Sequence, residues 1–221
     1  DSLGMVIQGR ATTLPVTMDH MVYHMKNVAR TSTRALLMAD MPFMSYARVD
    51  QALENAARLM KEGGAHAVKL EGGYEQAETV RELSVCGIPV CAHLGLRPQS
   101  VHKLGGYRVQ GRDKKTAESM RYDAEALQAA GADMLLLECV PASLAAEITR
   151  SVDIPVIGIG AGVECDAQIL VLQDVLGITP DKPPRFTKNF MSGADSIQQA
   201  IGNYVQAVKK GEFPASEHTF I

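Results

Sequence analysis

The chain has 221 residues, 46% hydrophobic and 21% charged, with 22 basic against 25 acidic side chains and a net charge of −3. That composition supports one large core and excludes a disordered or collagen-like chain, while no apolar run approaches the roughly 20 residues of a membrane span. Near-balanced charge with 5% aromatics leaves no electrostatic footprint for nucleic acid, so the expected partner is a small molecule, with no nucleic acid and no membrane.

In chain order, His20 and His24 stand at i, i+4, but Met-Val-Tyr between them lacks the Glu of a zinc-protease helix, which weighs against a metal role. Residues 35–39 read as a buried parallel strand, being continuously apolar rather than alternating. A helix follows, with Leu53, Ala56, Ala57 and Met60 at helical spacing, Asp50 as its N-cap and Gly63-Gly64 as its stop. Further strands are expected over 67–70 and 89–92. The Gly-rich, basic loop 105–112 reads equally as a lid over a site or as ordinary surface. A second helix over 116–130, stopped by Gly131, leads to strands over 134–137, 155–159 and, more weakly, 169–172. Gly158, Gly160 and Gly162 form G-x-G-x-G after a strand, which suits a tight turn or a phosphate but is not the dinucleotide fingerprint. After a turn-rich break at 180–184 comes a helix over 195–210, with Ile197, Ile201, Tyr204, Val205 and Val208 on one face and Gly211 as its stop. The tail 212–221 has no periodicity. Cys86, Cys91, Cys139 and Cys165 include no C-x-x-C pair and are expected to be reduced thiols of a cytoplasmic protein; no charged-then-apolar leader opens the chain.

Internal spacing supports repeated βα units. Gly64-Ala65 leads to a run ending in Glu71 and Gly131-Ala132 to one ending in Glu138, while Ile88-Pro89-Val90 and Ile154-Pro155-Val156 open two strands alike. Such units either close into a barrel or spread as a doubly wound sheet. At roughly 31 residues per unit of a (β/α)8 barrel, six units run to about residue 180, and the C-terminal helix and tail over 181–221 complete one domain, 1–221. Closure needs eight strands. The barrel reading, favoured over the open sheet, therefore expects about two strands ahead of Asp1.

Functional groups in parallel α/β folds sit at the carboxyl ends of strands. Applied to this chain, the rule picks out Asp40, Glu71, His93 and Glu138, with Lys69 two residues before Glu71 and so on the same strand face. Each has a bland alternative: a turn residue at Asp40, an internal ion pair at Lys69 and Glu71, a core histidine at His93, a strand-end acid at Glu138. Their joint placement favours a site. Converging carboxylates repel unless a cation neutralises them, and hard oxygen ligands suit Mg²⁺ or Mn²⁺.

An ordered set of segments then carries a resemblance. Asp1-Ser2-Leu3-Gly4-Met5, Thr13-Leu14-Pro15-Val16-Thr17, Ala39-Asp40-Met41-Pro42-Phe43, Val68-Lys69-Leu70-Glu71-Gly72-Gly73, His93-Leu94-Gly95-Leu96, Gly106-Tyr107-Arg108-Val109-Gln110-Gly111-Arg112, Leu137-Glu138-Cys139-Val140-Pro141, Ile157 to Gly162 and Lys188-Asn189-Phe190 together resemble the ketopantoate hydroxymethyltransferase family. The resemblance implies a (β/α)8 TIM barrel of the phosphoenolpyruvate/pyruvate type, here without about its first two strands. It implies transfer of a hydroxymethyl group from 5,10-methylenetetrahydrofolate to 3-methyl-2-oxobutanoate through a Mg²⁺-stabilised enolate, giving 2-dehydropantoate in pantothenate and coenzyme A biosynthesis. Matching motif for motif, Asp1, Asp40 and Glu71 would form the Mg²⁺ site, directly or through water. Asp1, Ser2, Asp40, Lys69 and His93 would hold the oxoacid, and Glu138 would be the base. A homo-oligomer, expected as a decamer with the C-terminal helix as a contact, is also implied. The competing readings are another Mg²⁺-dependent oxoacid lyase or mutase of the same barrel type, or an inactive assembly subunit.

Overall fold

The structure, a computed structural model, describes residues 1–179 and 182–221. A short helix, α1 (Leu3–Val6), and α2 (Met18–Ala29) precede the first strand, β1 (Met38–Asp40). Alternation then sets in: α3 (Val49–Lys61), β2 (Ala67–Glu71), α4 (Ala77–Val85), β3 (Val90–Gly95), α5 (Val101–Leu104), α6 (Lys114–Ala129), β4 (Met134–Glu138), α7 (Ala142–Ser151) and β5 (Val156–Ile159). The two-residue strand β6 (Ala167–Gln168), α8 (Leu172–Val175) and α9 (Ile197–Lys209) follow.

The six described strands form one parallel sheet in the order of the chain, each paired with the next. A doubly wound sheet reverses its strand order at a switch point and carries helices on both faces. Here there is no reversal, and α2, α3, α4, α6 and α7 all pack into one cluster with Ala39, Val68, Leu70, Val90, Ala92, Leu94, Leu135, Leu137 and Val156. The alternate strand positions face the other way, where Cys91, Leu136 and Ile159 pack with Met38, Met134, Ile157, Phe186 and Phe220. Helices on one face and a second core on the other is the layering of a barrel wall.

Strand pairing aligns the inward positions in tiers. Asp40 lies opposite Lys69 and Lys69 opposite Cys91; Glu71 lies opposite His93, and Gly95 opposite Glu138. The inner face is thus polar towards β1, β2 and the ends of β3 and β4, and apolar towards β5.

Several sequence expectations shift. The first strand begins at Met38 rather than residue 35, because Ala35 and Leu36 are exposed and the sheet pairing starts only once Leu37 accepts from the backbone of His66 and Ala67. The weak strand expected over 169–172 is displaced to Ala167–Gln168; Ile169 is exposed and Val171 is already the N-cap of α8. Arg48, not Asp50, is the N-cap of α3, and Asp50 lies in the first turn, its carboxylate held by the Arg48 guanidinium. Gly64 and Gly131 stop their helices as expected, both at positive φ. The apolar face expected on α9 divides: Tyr204 and Val208 pack with Val175, Phe190 and Phe213, whereas Ile197, Ile201 and Val205 stay exposed. The unpatterned tail is docked, Phe220 O accepting from Ala142 N–H and Phe213 being buried. Of the break expected at 180–184, residues 180 and 181 lie outside the described residues.

Candidate functional site

Five of the predicted residues end strands or lie two residues inside them, which is why their side chains meet. Asp40 closes β1, Glu71 closes β2, Glu138 closes β4, and Lys69 and His93 sit inside β2 and β3. Lys69 Nζ lies 3.2 Å from Asp40 Oδ1 and 3.5 Å from His93 Nδ1. His93 Nε2 is 3.3 Å from Glu138 Oε2, and His93 Nδ1 is 3.8 Å from Glu71 Oε1. Asp1 joins them, its carboxylate Oδ2 accepting from Gln99 Nε2 at 2.8 Å. Ser2 is different. It is exposed and starts α1 without a side-chain capping bond.

Burial sets the charges. It pushes the Glu138 carboxyl up to about 7, against the pull of Lys69, and it pushes the His93 imidazole down to about 3, helped by the Lys69 charge. His93 is therefore neutral, and its contacts with Glu71 and Glu138 are not ion pairs. With Nδ1 accepting from the Lys69 ammonium, the ring proton belongs on Nε2, which lies near Glu138 without a hydrogen bond to it. Burial also raises Glu71. For Asp40, burial opposes ionisation but the Lys69 ammonium prevails and holds the carboxyl below the usual range; Asp40 and Glu71 in turn hold Lys69 above its own.

Two buried atoms in this cluster have no hydrogen-bond partner: Glu71 Oε1 and His93 Nε2. Buried polar atoms are normally satisfied, so both are open to a ligand. Among the described residues no group of three or more His, Cys, Asp or Glu side chains is placed to hold a metal ion. Mg²⁺ does not require one, because it keeps several waters and takes only one or two carboxylates. The donor set fits such an ion: hard oxygens, an unpartnered Glu71 Oε1, and the Asp1, Asp40, Glu71 and Glu138 carboxyl groups beside one lysine.

Sequence reasoning missed two residues. Gln99, buried just after β3, bonds both Asp1 and Glu71; Tyr46 hydroxyl accepts from the Glu71 N–H at 3.3 Å and donates to Gln99 Oε1. Neither carries charge or a motif, so nothing in the sequence marks them. Tyr107, from the loop expected as a lid or surface, has its hydroxyl raised by burial and by the charges of Glu138 and Glu71, and it approaches Met5 Sδ at 3.4 Å. That loop is anchored behind by Gln110 N–H on Cys139 O. A cavity of about 190 Å³ lined by Glu71, Gln99, Tyr46, Phe43 and Arg97 adjoins the cluster; Lys69, His93 and Glu138 do not line it.

The weaker sequence candidates resolve into packing. His20 Nδ1 accepts from Thr17 N–H in a capping box, and the His24 ring packs edge-on to Tyr23. A Cβ at Gly158 would meet Cys165 Sγ at 2.9 Å and one at Gly162 would meet Ala142 Cβ at 2.7 Å, so these glycines serve close approach. All four cysteines are free thiols.

An unreversed parallel sheet with helices on one face, and with carboxylates, a lysine and a histidine gathered at its carboxyl end, is the architecture of the α/β-barrel class. Solved structures agree on the fold: a protein described as a phosphonomutase from Burkholderia cenocepacia aligns with TM-score 0.55 and 17% identity over 71% of this chain and 67% of its own. An oxaloacetate acetylhydrolase holding oxalate aligns at 0.51 and 14% identity over 70% of this chain and 55% of its own. Sequence is more specific. The family model described as ketopantoate hydroxymethyltransferase matches residues 1–216. Proteins named 3-methyl-2-oxobutanoate hydroxymethyltransferase from Alkalilimnicola ehrlichii, Halorhodospira halophila and Marinobacter nauticus are 64%, 60% and 62% identical over 100% of this chain and 79%, 80% and 83% of their own lengths. The chain belongs to the ketopantoate hydroxymethyltransferase family.

Proposed function

We propose that this chain transfers a hydroxymethyl group from 5,10-methylenetetrahydrofolate to 3-methyl-2-oxobutanoate, consuming water and releasing tetrahydrofolate and 2-dehydropantoate, in pantothenate and coenzyme A biosynthesis. The observation that carries the reading is the Glu138 carboxyl, raised to about 7 at the end of β4 beside Lys69 and a neutral His93. A base poised near operating pH removes a weakly acidic C–H proton most effectively. Glu138 takes the C3 proton. Lys69 brings fixed positive charge to the oxygen on which enolate charge develops, in a site where burial strengthens that contact. His93 offers its unpartnered Nε2–H, and Ser2 joins it in holding the oxoacid on the strength of the family resemblance. Asp1, Asp40 and Glu71 would hold Mg²⁺, with Asp1 and Asp40 also bordering the oxoacid. Mg²⁺ when bound supplies Lewis-acid polarisation of the oxoacid carbonyl. The enolate carbon then attacks the one-carbon unit of the folate.

The loop 105–112, led by Tyr107, covers the site while chemistry proceeds. Neither donor nor oxoacid chemistry touches a membrane, and among the described residues no helix is long and apolar enough to cross one; the proposed location is the cytoplasm. Assembly as a homo-oligomer, a decamer, belongs to the same reading, supported by the exposed Ile197, Ile201 and Val205 on α9. The test is formation of 2-dehydropantoate from 3-methyl-2-oxobutanoate with and without 5,10-methylenetetrahydrofolate. Product that depends on the folate and on Mg²⁺ is expected; folate-independent cleavage of an oxoacid would replace this reading with a lyase.

A further inference from the structure

Gln99 is a buried residue that bonds the carboxylates of two different predicted cation ligands, Asp1 through its side chain and Glu71 through its main-chain N–H. It follows β3 in a short 3-10 turn (Pro98–Ser100) and is 6% exposed. Every polar atom of its amide is used. Nε2 donates to Asp1 Oδ2 at 2.8 Å and to the Met41 carbonyl at 2.9 Å, and Oε1 accepts from the Tyr46 hydroxyl. Its main-chain N–H donates to Glu71 Oε2 at 3.0 Å. The amide orientation is fixed by this set, since Asp1 Oδ2 and Met41 O can only accept. Tyr46 is fixed in the same way, its oxygen taking the Glu71 N–H and its proton going to Gln99. Met41 in turn is tied to β2 through its N–H on Lys69 O, at 2.8 Å.

The consequence is a division of labour within each carboxylate. One oxygen of Asp1 and one of Glu71 are held by Gln99, while the other Glu71 oxygen is buried and has no partner. Donors that occupy one lone pair of a carboxylate aim the other oxygen and reduce the repulsion between two anions placed side by side. We infer that Gln99, oriented by Tyr46, is a positioning residue that sets the Asp1 and Glu71 carboxylates for a divalent cation. The inference deepens the proposed function and rests on its cation site.

The test uses Mn²⁺ as probe on the full chain, free Mn²⁺ being followed by electron paramagnetic resonance without substrate. Gln99→Met keeps size and burial but removes both donors and the acceptor; Tyr46→Phe leaves the amide in place and removes the hydroxyl that aims it. Expected is a Kd for Mn²⁺ raised about 10- to 100-fold by Gln99→Met, the usual effect of losing a group that orients a ligand, and raised less by Tyr46→Phe. A purely structural role would lower the melting temperature and the number of sites filled, but would leave the Kd of the folded molecules unchanged. An unchanged Kd in Tyr46→Phe together with an unchanged Kd in Gln99→Met overturns the inference; should Gln99→Met not fold, an unchanged Kd in Tyr46→Phe overturns it alone. A wild-type chain that binds no Mn²⁺ refutes the cation site itself, and the inference with it.

Discussion

Glu138 and His93 respond to one cause in opposite directions, because burial disfavours whichever form is charged. For Glu138 the folded value lies above the unfolded one, so the native state binds the extra proton between about 4.5 and 7, and stability falls as pH rises through that window. In metal-free protein, Glu138→Gln is therefore expected to unfold at higher urea concentration than wild type near pH 8, by a few kcal/mol, with the gain gone near pH 4. His93 behaves conversely: its value is depressed from 6.5 to about 3, so the stability it contributes is present above about 6.5 and is lost as pH falls towards 3. The same Glu138 shift predicts that kcat/KM falls as pH drops below about 7, when the base is protonated. At Lys69, replacement by Met removes a charge-assisted contact worth about 1.5–3 kcal/mol, so oxoacid binding is expected to weaken about 10- to 100-fold in a titration calorimeter. Unchanged affinity would take Lys69 out of the oxoacid site.

Elements place these side chains, and the joints between elements were the least legible part of the sequence. Continuous apolar runs located β2, β3, β4 and β5 to within a few residues, since a strand buried on both faces leaves no other pattern. The failures came at β1 and β6, short strands at the ends of the described sheet, where apolar residues lead out to solvent or into the next helix. Gly95, the last residue of β3, shows what the joints demand: its φ is +90°, and a Cβ there would sit 2.3 Å from the Glu138 carbonyl oxygen. Gly95→Ala would thus force β3 and the Glu138 end of β4 apart, adding backbone clash to a strained conformation. It is expected to lower the melting temperature and abolish turnover, whereas Gly105→Ala, at the mouth of the loop with φ +71° and nothing within 4 Å, is expected to retain the fold. Equal melting temperatures for wild type and Gly95→Ala would contradict that account.

Across the whole molecule, the carboxyl-end rule found five of the residues that meet at the site because the chain repeats one βα unit, and a repeated unit delivers its strand ends to one rim. Glu71 and Glu138, each seven residues after a helix-stopping glycine, are the clearest case. The choice between barrel and open sheet was not legible from pattern alone; it needed the strand order and the one-sided placement of helices. Gln99 and Tyr46 were invisible for another reason, since neutral side chains that act through hydrogen bonds leave no charge or spacing signature. The central claim, that this rim removes a proton from an oxoacid through Glu138, is tested most directly by deuterium exchange at C3 of 3-methyl-2-oxobutanoate. The reaction is run in D₂O with Mg²⁺ and without folate, and followed by proton NMR. Wild type is expected to exchange the C3 proton, and Glu138→Gln to bind the oxoacid yet exchange at least about 100-fold more slowly. Exchange at the wild-type rate in Glu138→Gln would contradict the account.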